Sequence, residues 1–160
     1  MKRTTLCYIQ KEDSFLLLYR NKKKQDPNAC KWIGIGGHIE EGETPDQCIV
    51  REVKEETGLS LTDFYSCGIV HFKSEMWEDE EMYLYLATGF EGELAEECDE
   101  GELRFVEKSE VSSLPMWEGD TYFLKPLLEG RRDINMTLVY RGKGDDEHLA
   151  EVYDGEKRLK

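Results

Sequence analysis

GHIEEGETPDQCIVREVKEETGL, residues 37–59, holds a glycine turn, a capped helix and three helix-borne carboxylates in one unbroken segment, and the rest of the chain reads outward from it. Thr44 is a good N-cap, Pro45 suits the first helical position, where no amide hydrogen is needed, and Gln47 completes a Thr-x-x-Gln capping box. Gly58 can take the left-handed conformation that ends a helix, so the spacing predicts a helix from Pro45 to about Thr57. On it Glu52, Glu55 and Glu56 fall at i, i+3 and i+4, and their carboxylates leave one face within a turn of each other.

Three like charges so close destabilise a bare helix, and a hard divalent cation reverses the sign of that interaction. Oxygen-only ligands select Mg²⁺ or Mn²⁺ over zinc, which prefers nitrogen and sulfur. A solvated acidic face is the plain alternative for any glutamate-rich helix. It leaves the neighbours unexplained: Gly34, Gly36 and Gly37 allow backbone to approach a ligand closely, and a free carbonyl there can complete a metal shell. Arg51, beside Glu52 and four residues before Glu55, can orient a carboxylate by a charge-assisted bond.

Gly37, Glu43, Arg51, Glu52, Val53, Glu55, Glu56, Gly58 and Leu59 match, without gaps, every fixed position of the Nudix box, G-x5-E-x7-R-E-U-x-E-E-x-G-U. The chain thus resembles the Nudix hydrolases. The resemblance implies an α+β fold, a Nudix α/β/α sandwich with a mixed sheet between the Pro45 to Thr57 helix and a C-terminal helix. It also implies glutamates that bind divalent metal, and cleavage of nucleoside diphosphates linked to another moiety.

Composition fits one globular domain over residues 1–160, with 39% hydrophobic residues to build a core. A formal net charge of −14 argues against a nucleic-acid polymer or an anionic membrane as partner. It leaves a small anionic substrate open, because cations and a few basic groups can neutralise phosphate locally. The five cysteines, Cys7, Cys30, Cys48, Cys67 and Cys98, form no Cys-x-x-Cys pair, and their odd number suits reduced thiols. The apolar runs near the N-terminus are too short for a signal peptide or a membrane span, so a cytoplasmic location is expected.

Leu6 to Ile9 and Phe15 to Tyr19 read as a hairpin with both strands substantially buried. The loop from Arg20 to Lys31, with Lys22, Lys23 and Lys24, is the densest positive charge in the chain and can steer phosphates; Arg20, at a strand end, is the best candidate within it. Trp32 to Ile35 is predicted as a short strand. Phe64 to Phe72 and Met82 to Ala87 form a second hairpin across an acidic loop whose Met76 and Trp77 either line a pocket or fold onto the core. Glu96 to Glu102 reads as an acidic loop before a strand at Leu103 to Val106. Ser109 should cap a short helix ending at Pro115, a longer one should reach about Leu128 with Pro126 as a possible kink, and Ile134 to Tyr140 with His148 to Tyr153 suggests a last hairpin.

From about Leu6 to Leu128 the chain is similar to Nudix enzymes of the MutT type, which remove oxidised purine nucleotides. That resemblance implies a metal-binding or base role for Glu100, and a base-holding role for Trp117 and Asp120 in a Trp-x-x-Asp-x-Tyr segment. Taken from the residues alone, Trp117 can equally be a core aromatic and Asp120 a helix N-cap. Ile33 stands where some relatives carry a base-contacting Asn, and His38 where many carry a phosphate-binding Lys. The expected site is therefore Glu52, Glu55, Glu56, Glu100 and Arg51 for catalysis. Gly36, Glu52, Glu55, Glu56 and Glu100 are expected to hold Mg²⁺, for which Mn²⁺ can substitute, and Arg20, Gly37, His38, Trp117 and Asp120 to bind a small nucleotide. Either Glu52 or Glu100 is the general base. The leading substrate is 8-oxo-dGTP; dinucleoside polyphosphates, nucleotide sugars, canonical triphosphates and a non-catalytic nucleotide sensor are the alternatives.

Overall fold

A computed structural model describes residues 1–21 and 30–160. Its strands are β1 (Lys2–Lys11), β2 (Ser14–Arg20), β3 (Trp32–Ile33), β4 (Ser60–Ser74), β5 (Glu80–Glu91), β6 (Glu97–Cys98), β7 (Gly101–Glu107), β8 (Ile134–Arg141), β9 (His148–Asp154) and β10 (Lys157–Arg158). The helices are α1 (Pro45–Thr57), α2 (Lys108–Val111) and α3 (Glu118–Leu128). The strands make a mixed sheet in the order β10-β9-β8-β4-β5-β1-β2-β7-β6, with β3 paired to β2; β1–β5 and β4–β8 are parallel and the other pairs antiparallel.

Alternation along the strands explains why both sheet faces are covered. Cys7, Ile9, Leu16 and Leu18 point into one core with Ile49 and Val53 of α1, while Leu6, Tyr8, Phe15 and Leu17 point into another with Phe123, Leu124 and Leu127 of α3. The helices thus lie on opposite faces of the sheet, the sandwich the sequence led us to expect. Among the described residues no helix is long and apolar enough to cross a membrane.

The first hairpin forms but is short. Only Ile9, Gln10 and Lys11 of β1 pair with β2, which then runs beside β7. In the gap this leaves, the segment after β3 lies against β1, bridging Cys7 to Ile35 and Thr4 to His38. The predicted Trp32 to Ile35 strand is therefore divided, its first half on β2 and its end on β1. That division brings Gly34 to Gly37 across the sheet between the two cores. β4 and β5 extend well beyond the predicted Phe64 to Phe72 and Met82 to Ala87 runs, because their polar ends also pair. The acidic Glu96 to Glu102 segment is not all loop: β6 pairs back on β7. Helix α2 starts at Lys108 and has no side-chain cap, which corrects the expected role of Ser109.

Candidate active site

The site is built from α1 upward. Thr44 accepts from the Gln47 amide at 3.1 Å while the Gln47 side chain accepts from the Thr44 amide at 3.0 Å, and Gly58 closes the helix at φ 81°. With both ends fixed, Cys48, Ile49, Val53 and Thr57 are buried and the carboxylate face turns toward the glycine segment.

Arg51 organises that face. Its guanidinium donates to both oxygens of Glu43 at 2.7 and 2.9 Å, to Glu52 at 2.9 Å, to Glu55 at 3.2 Å and to the His38 carbonyl at 3.1 Å. The fork on Glu43 holds that carboxyl down to about 2. Glu52 is raised instead, by burial, with Arg51 opposing the shift. Its carboxyl packs on Gly37, where a Cβ would lie 2.5 Å from the carboxyl carbon, so only glycine leaves Glu52 room. Glu55 is exposed and points to Arg51.

Glu56 is the anomaly. Its Oε2 is buried and has no hydrogen-bond partner among the described residues. Burial, then the nearby charges of Glu100 and Glu52, push the carboxyl up to about 8. Glu100, in the β6–β7 turn, is joined to Arg20 at 3.3 Å, and Arg20 partly relieves Glu56. Among the described residues no three acidic, imidazole or thiol groups already stand close enough to grip an ion. Arg51 and Arg20 draw Glu52, Glu55 and Glu100 toward themselves instead. An orphaned buried carboxylate oxygen amid repelling carboxylates, with oxygen as the only donor type, nonetheless fits a hard divalent cation. The Gly36 carbonyl accepts no hydrogen bond among the described residues, whereas the Gly37 carbonyl accepts from the Thr5 amide at 2.9 Å, so the Gly36 oxygen is the one of the pair available as a metal ligand.

Across the glycine segment lies a cavity of about 320 Å³. Gly36 and Gly37 line it, so it adjoins the carboxylates, and its further walls include Thr4, Leu6, Ile33, Phe72, Trp77, Glu80, Met82, Trp117, Asp120, Tyr140 and Glu147. Asp120 is not the N-cap of α3. Trp117 holds that position, and Asp120, a turn further on, turns its carboxyl into the cavity. No described donor reaches that carboxyl, and burial raises it to about 7. Part of the residue's surface opens to the cavity, but the carboxyl stands near two phenols, the buried Tyr8 and the partly buried Tyr140, both pushed up chiefly by burial and further by Asp120.

Of the residues expected to bind substrate, Gly37, Trp117 and Asp120 meet at the cavity, and Arg20 sits with the carboxylates. His38 does not line the cavity: its ring is exposed, and its carbonyl serves Arg51 and the Cys48 thiol. Gly119 packs against Tyr140, where a Cβ would meet the hydroxyl at 2.6 Å. Lys22, Lys23 and Lys24 lie outside the described residues. Sequence reasoning left Tyr140, Glu147, Phe72 and Glu80 unassigned. Only Trp77 carried a signal, an aromatic stranded in an acidic loop.

Comparison with known proteins identifies the family and the fold. Residues 1–127 match the NUDIX domain family. An oxidized purine nucleoside triphosphate hydrolase of Danio rerio is 31% identical over 159 residues, covering 96% of this chain and 97% of that protein. The uncharacterized Nudix hydrolase YvcI of Bacillus subtilis is 28% identical over 144 residues, 88% of this chain and 87% of its own. The crystal structure of a MutT protein from Bacillus halodurans superposes with a TM-score of 0.79 at 28% identity, covering 96% of this chain and 97% of that one. With an intact carboxylate helix, the sandwich around it and a domain match over most of its length, the chain belongs to the Nudix family as a MutT-like Nudix hydrolase.

Proposed function

We propose that the enzyme hydrolyses oxidised purine nucleoside triphosphates, 8-oxo-dGTP first among them, to the nucleoside monophosphate and pyrophosphate. The observation that carries this reading is Asp120. Its carboxyl, which no described donor reaches, stands in a cavity that shares Gly36 and Gly37 with the carboxylate site. Glu78, Glu80 and Glu147 line the cavity with Lys2, whose ammonium is paired to Glu80 at 3.4 Å, so the wall is acidic on balance and disfavours phosphate there; the base enters it and the phosphates extend past the glycines. Near neutral pH Asp120 is available as a neutral donor or an ionised acceptor, matching the N7 hydrogen and O8 of 8-oxoguanine where guanine offers only an N7 acceptor. Similarity to the zebrafish oxidized purine nucleoside triphosphate hydrolase supports the same substrate class.

In this mechanism Glu52, Glu55, Glu56, Glu100 and the Gly36 carbonyl would hold Mg²⁺, with Mn²⁺ able to substitute. Bound there, the cation supplies neutralisation of phosphate charge and acidification of water. Arg51 holds the Glu52 carboxylate in place, and Glu52 or Glu100 takes the proton from a water attacking phosphorus in line. Arg20 beside Glu100 is placed to bind a phosphate oxygen, and the Trp117 indole walls the base. The biological role would be clearance of damaged nucleotides from the cytoplasmic pool before they enter DNA.

One hydrolysis screen with and without EDTA tests the reading, using 8-oxo-dGTP, dGTP, ATP, ADP-ribose and dinucleoside polyphosphates. The highest kcat/KM is expected for 8-oxo-dGTP, with loss of turnover in EDTA. Preference for ADP-ribose or a dinucleoside polyphosphate would overturn it.

A further inference from the structure

The cavity wall farthest from the Nudix box is made by parts of the chain that the box does not include. The loop joining β4 to β5 is fastened at each residue from Ser74 to Trp77. Ser74 Oγ accepts from the Met76 and Trp77 amides at 3.0 and 3.2 Å, and Glu75 accepts from the Gly142 amide at 2.9 Å. The Met76 sulfur lies 3.0 Å from the Gly144 amide, which donates to it, and Trp77 Nε1 donates to Glu147 at 3.2 Å. Gly142, Gly144 and Glu147 all belong to the β8–β9 turn, beyond the residues 1–127 that match the family.

Such a fastening is costly for an indole that faces water. Trp77 is 61% exposed, the most exposed aromatic among the large apolar side chains, yet its ring lines the cavity and its one polar atom is tied. A free surface indole gains little from being held still. An indole that receives a flat ligand gains, because its ordering entropy is already spent before binding.

We infer that Trp77, held by Glu147, is a specificity-determining residue that stacks on the purine of the nucleotide, so the base is received by two indoles, Trp77 and Trp117, carried by separate parts of the chain. The inference rests on the reading of the cavity as a purine site. Glu147 acts here as a positioning residue for Trp77. Stacking reads a π-face of any base, so this wall sets affinity for purines over smaller or non-aromatic groups, and leaves discrimination of 8-oxoguanine from guanine to polar groups such as Asp120.

Calorimetric titration of the full chain with 8-oxo-dGMP, dGMP and pyrophosphate at fixed Mg²⁺ tests it. Trp77→Ala should raise the Kd for 8-oxo-dGMP by roughly tenfold or more, the scale of one lost aromatic stack, and leave the Kd for pyrophosphate unchanged. Trp77→Phe should stay within about threefold of wild type, since the ring remains. Glu147→Leu removes both the anchor of the indole and a cavity charge, so its loss of nucleotide binding should be larger in the wild-type background than in the Trp77→Ala background, where only the charge effect remains. A Kd for 8-oxo-dGMP within twofold of wild type in Trp77→Ala, or equal losses for nucleotide and pyrophosphate, would overturn the inference. If wild type binds dGMP and not 8-oxo-dGMP, the oxidised-purine reading fails and the Trp77 comparison is decided on dGMP. If it binds neither nucleotide, both fall.

Discussion

The two halves of the site are assembled in opposite ways. The carboxylate half comes from a single helix and the turn before it, with two outside contributions, Glu100 and its partner Arg20, and Arg51 ties it together through neighbours within 13 residues of itself. The cavity half draws on β1, the glycine segment, β4, its loop, β5, α3, β8 and the turn after it, so its polar groups are scattered from Lys2 to Glu147. What this teaches is a division of labour: chemistry common to a family can be written locally, whereas selectivity is spread over the tertiary structure and can change piecemeal.

The comparison breaks most readily on the carboxylate side. Glu56→Gln should lower kcat by roughly a hundredfold or more, beyond the range seen when only a ligand's supporting residues are lost. The protein should stay folded, since an amide of the same shape replaces a buried carboxyl whose Oε2 has no partner among the described residues. Turnover near wild type would place the chemistry elsewhere.

Mg²⁺ at a hundredfold excess over its Kd should stabilise the wild type by about 2.7 kcal/mol and lose that effect in Glu56→Gln. Melting curves with and without EDTA measure both. An unchanged Tm in wild type would return the helix to a solvated acidic face.

Gly37 lies where the halves touch, and Gly37→Ala sharpens the boundary between them. The clash falls on the end of a flexible side chain, so Tm should change little while kcat falls roughly tenfold as Glu52 is pushed aside. A loss in Tm as large as the loss in activity would mean that Gly37 serves the fold and not the site.

Asp120→Asn tests the cavity alone. The ratio of kcat/KM for 8-oxo-dGTP over dGTP should drop by about tenfold, the scale of one mispaired polar group, with little change in absolute kcat. The same variant carries a pH signature. Asp120 keeps its proton up to about 7 when folded, against an ordinary value of 3.8, so its contribution to stability is full below 3.8 and is lost as pH rises through 7. The Tm of Asp120→Asn minus that of wild type should therefore grow across that window and level off above it. A flat difference would mean that the carboxyl is not buried.

How legible each half was follows from the same division. The capping box, Gly58 and the spacing of Glu52, Glu55 and Glu56 are local rules, and α1 formed where they placed it. The alternating strands were legible for the same reason. The split of Trp32 to Ile35 between β2 and β1 was not, because it depends on where β1 leaves β2, and no residue in that segment records it. Asp120 reads from the sequence either as a base-holding residue or as a cap, since Asp before a helix commonly is one; the N-cap falls three residues earlier, at Trp117, and leaves the Asp120 carboxyl to the cavity. Tyr140 and Glu147 carry no pattern at all until β8 lies parallel to β4 and brings them to the wall.

The parallel pairing of β1 with β5 also sets a timetable for synthesis. Lys2 pairs with Glu80, and β2 finds its main partner only in β7, so the first two strands have just three mutual pairs to hold them while the intervening chain is made. At about 5–20 residues per second that wait lasts roughly 4–15 s, during which the buried runs Leu6 to Ile9 and Phe15 to Leu18 have neither core to enter. Loop closure over such a separation comes late and makes the nascent chain a natural client for chaperones, with the first hairpin as the segment they would shield.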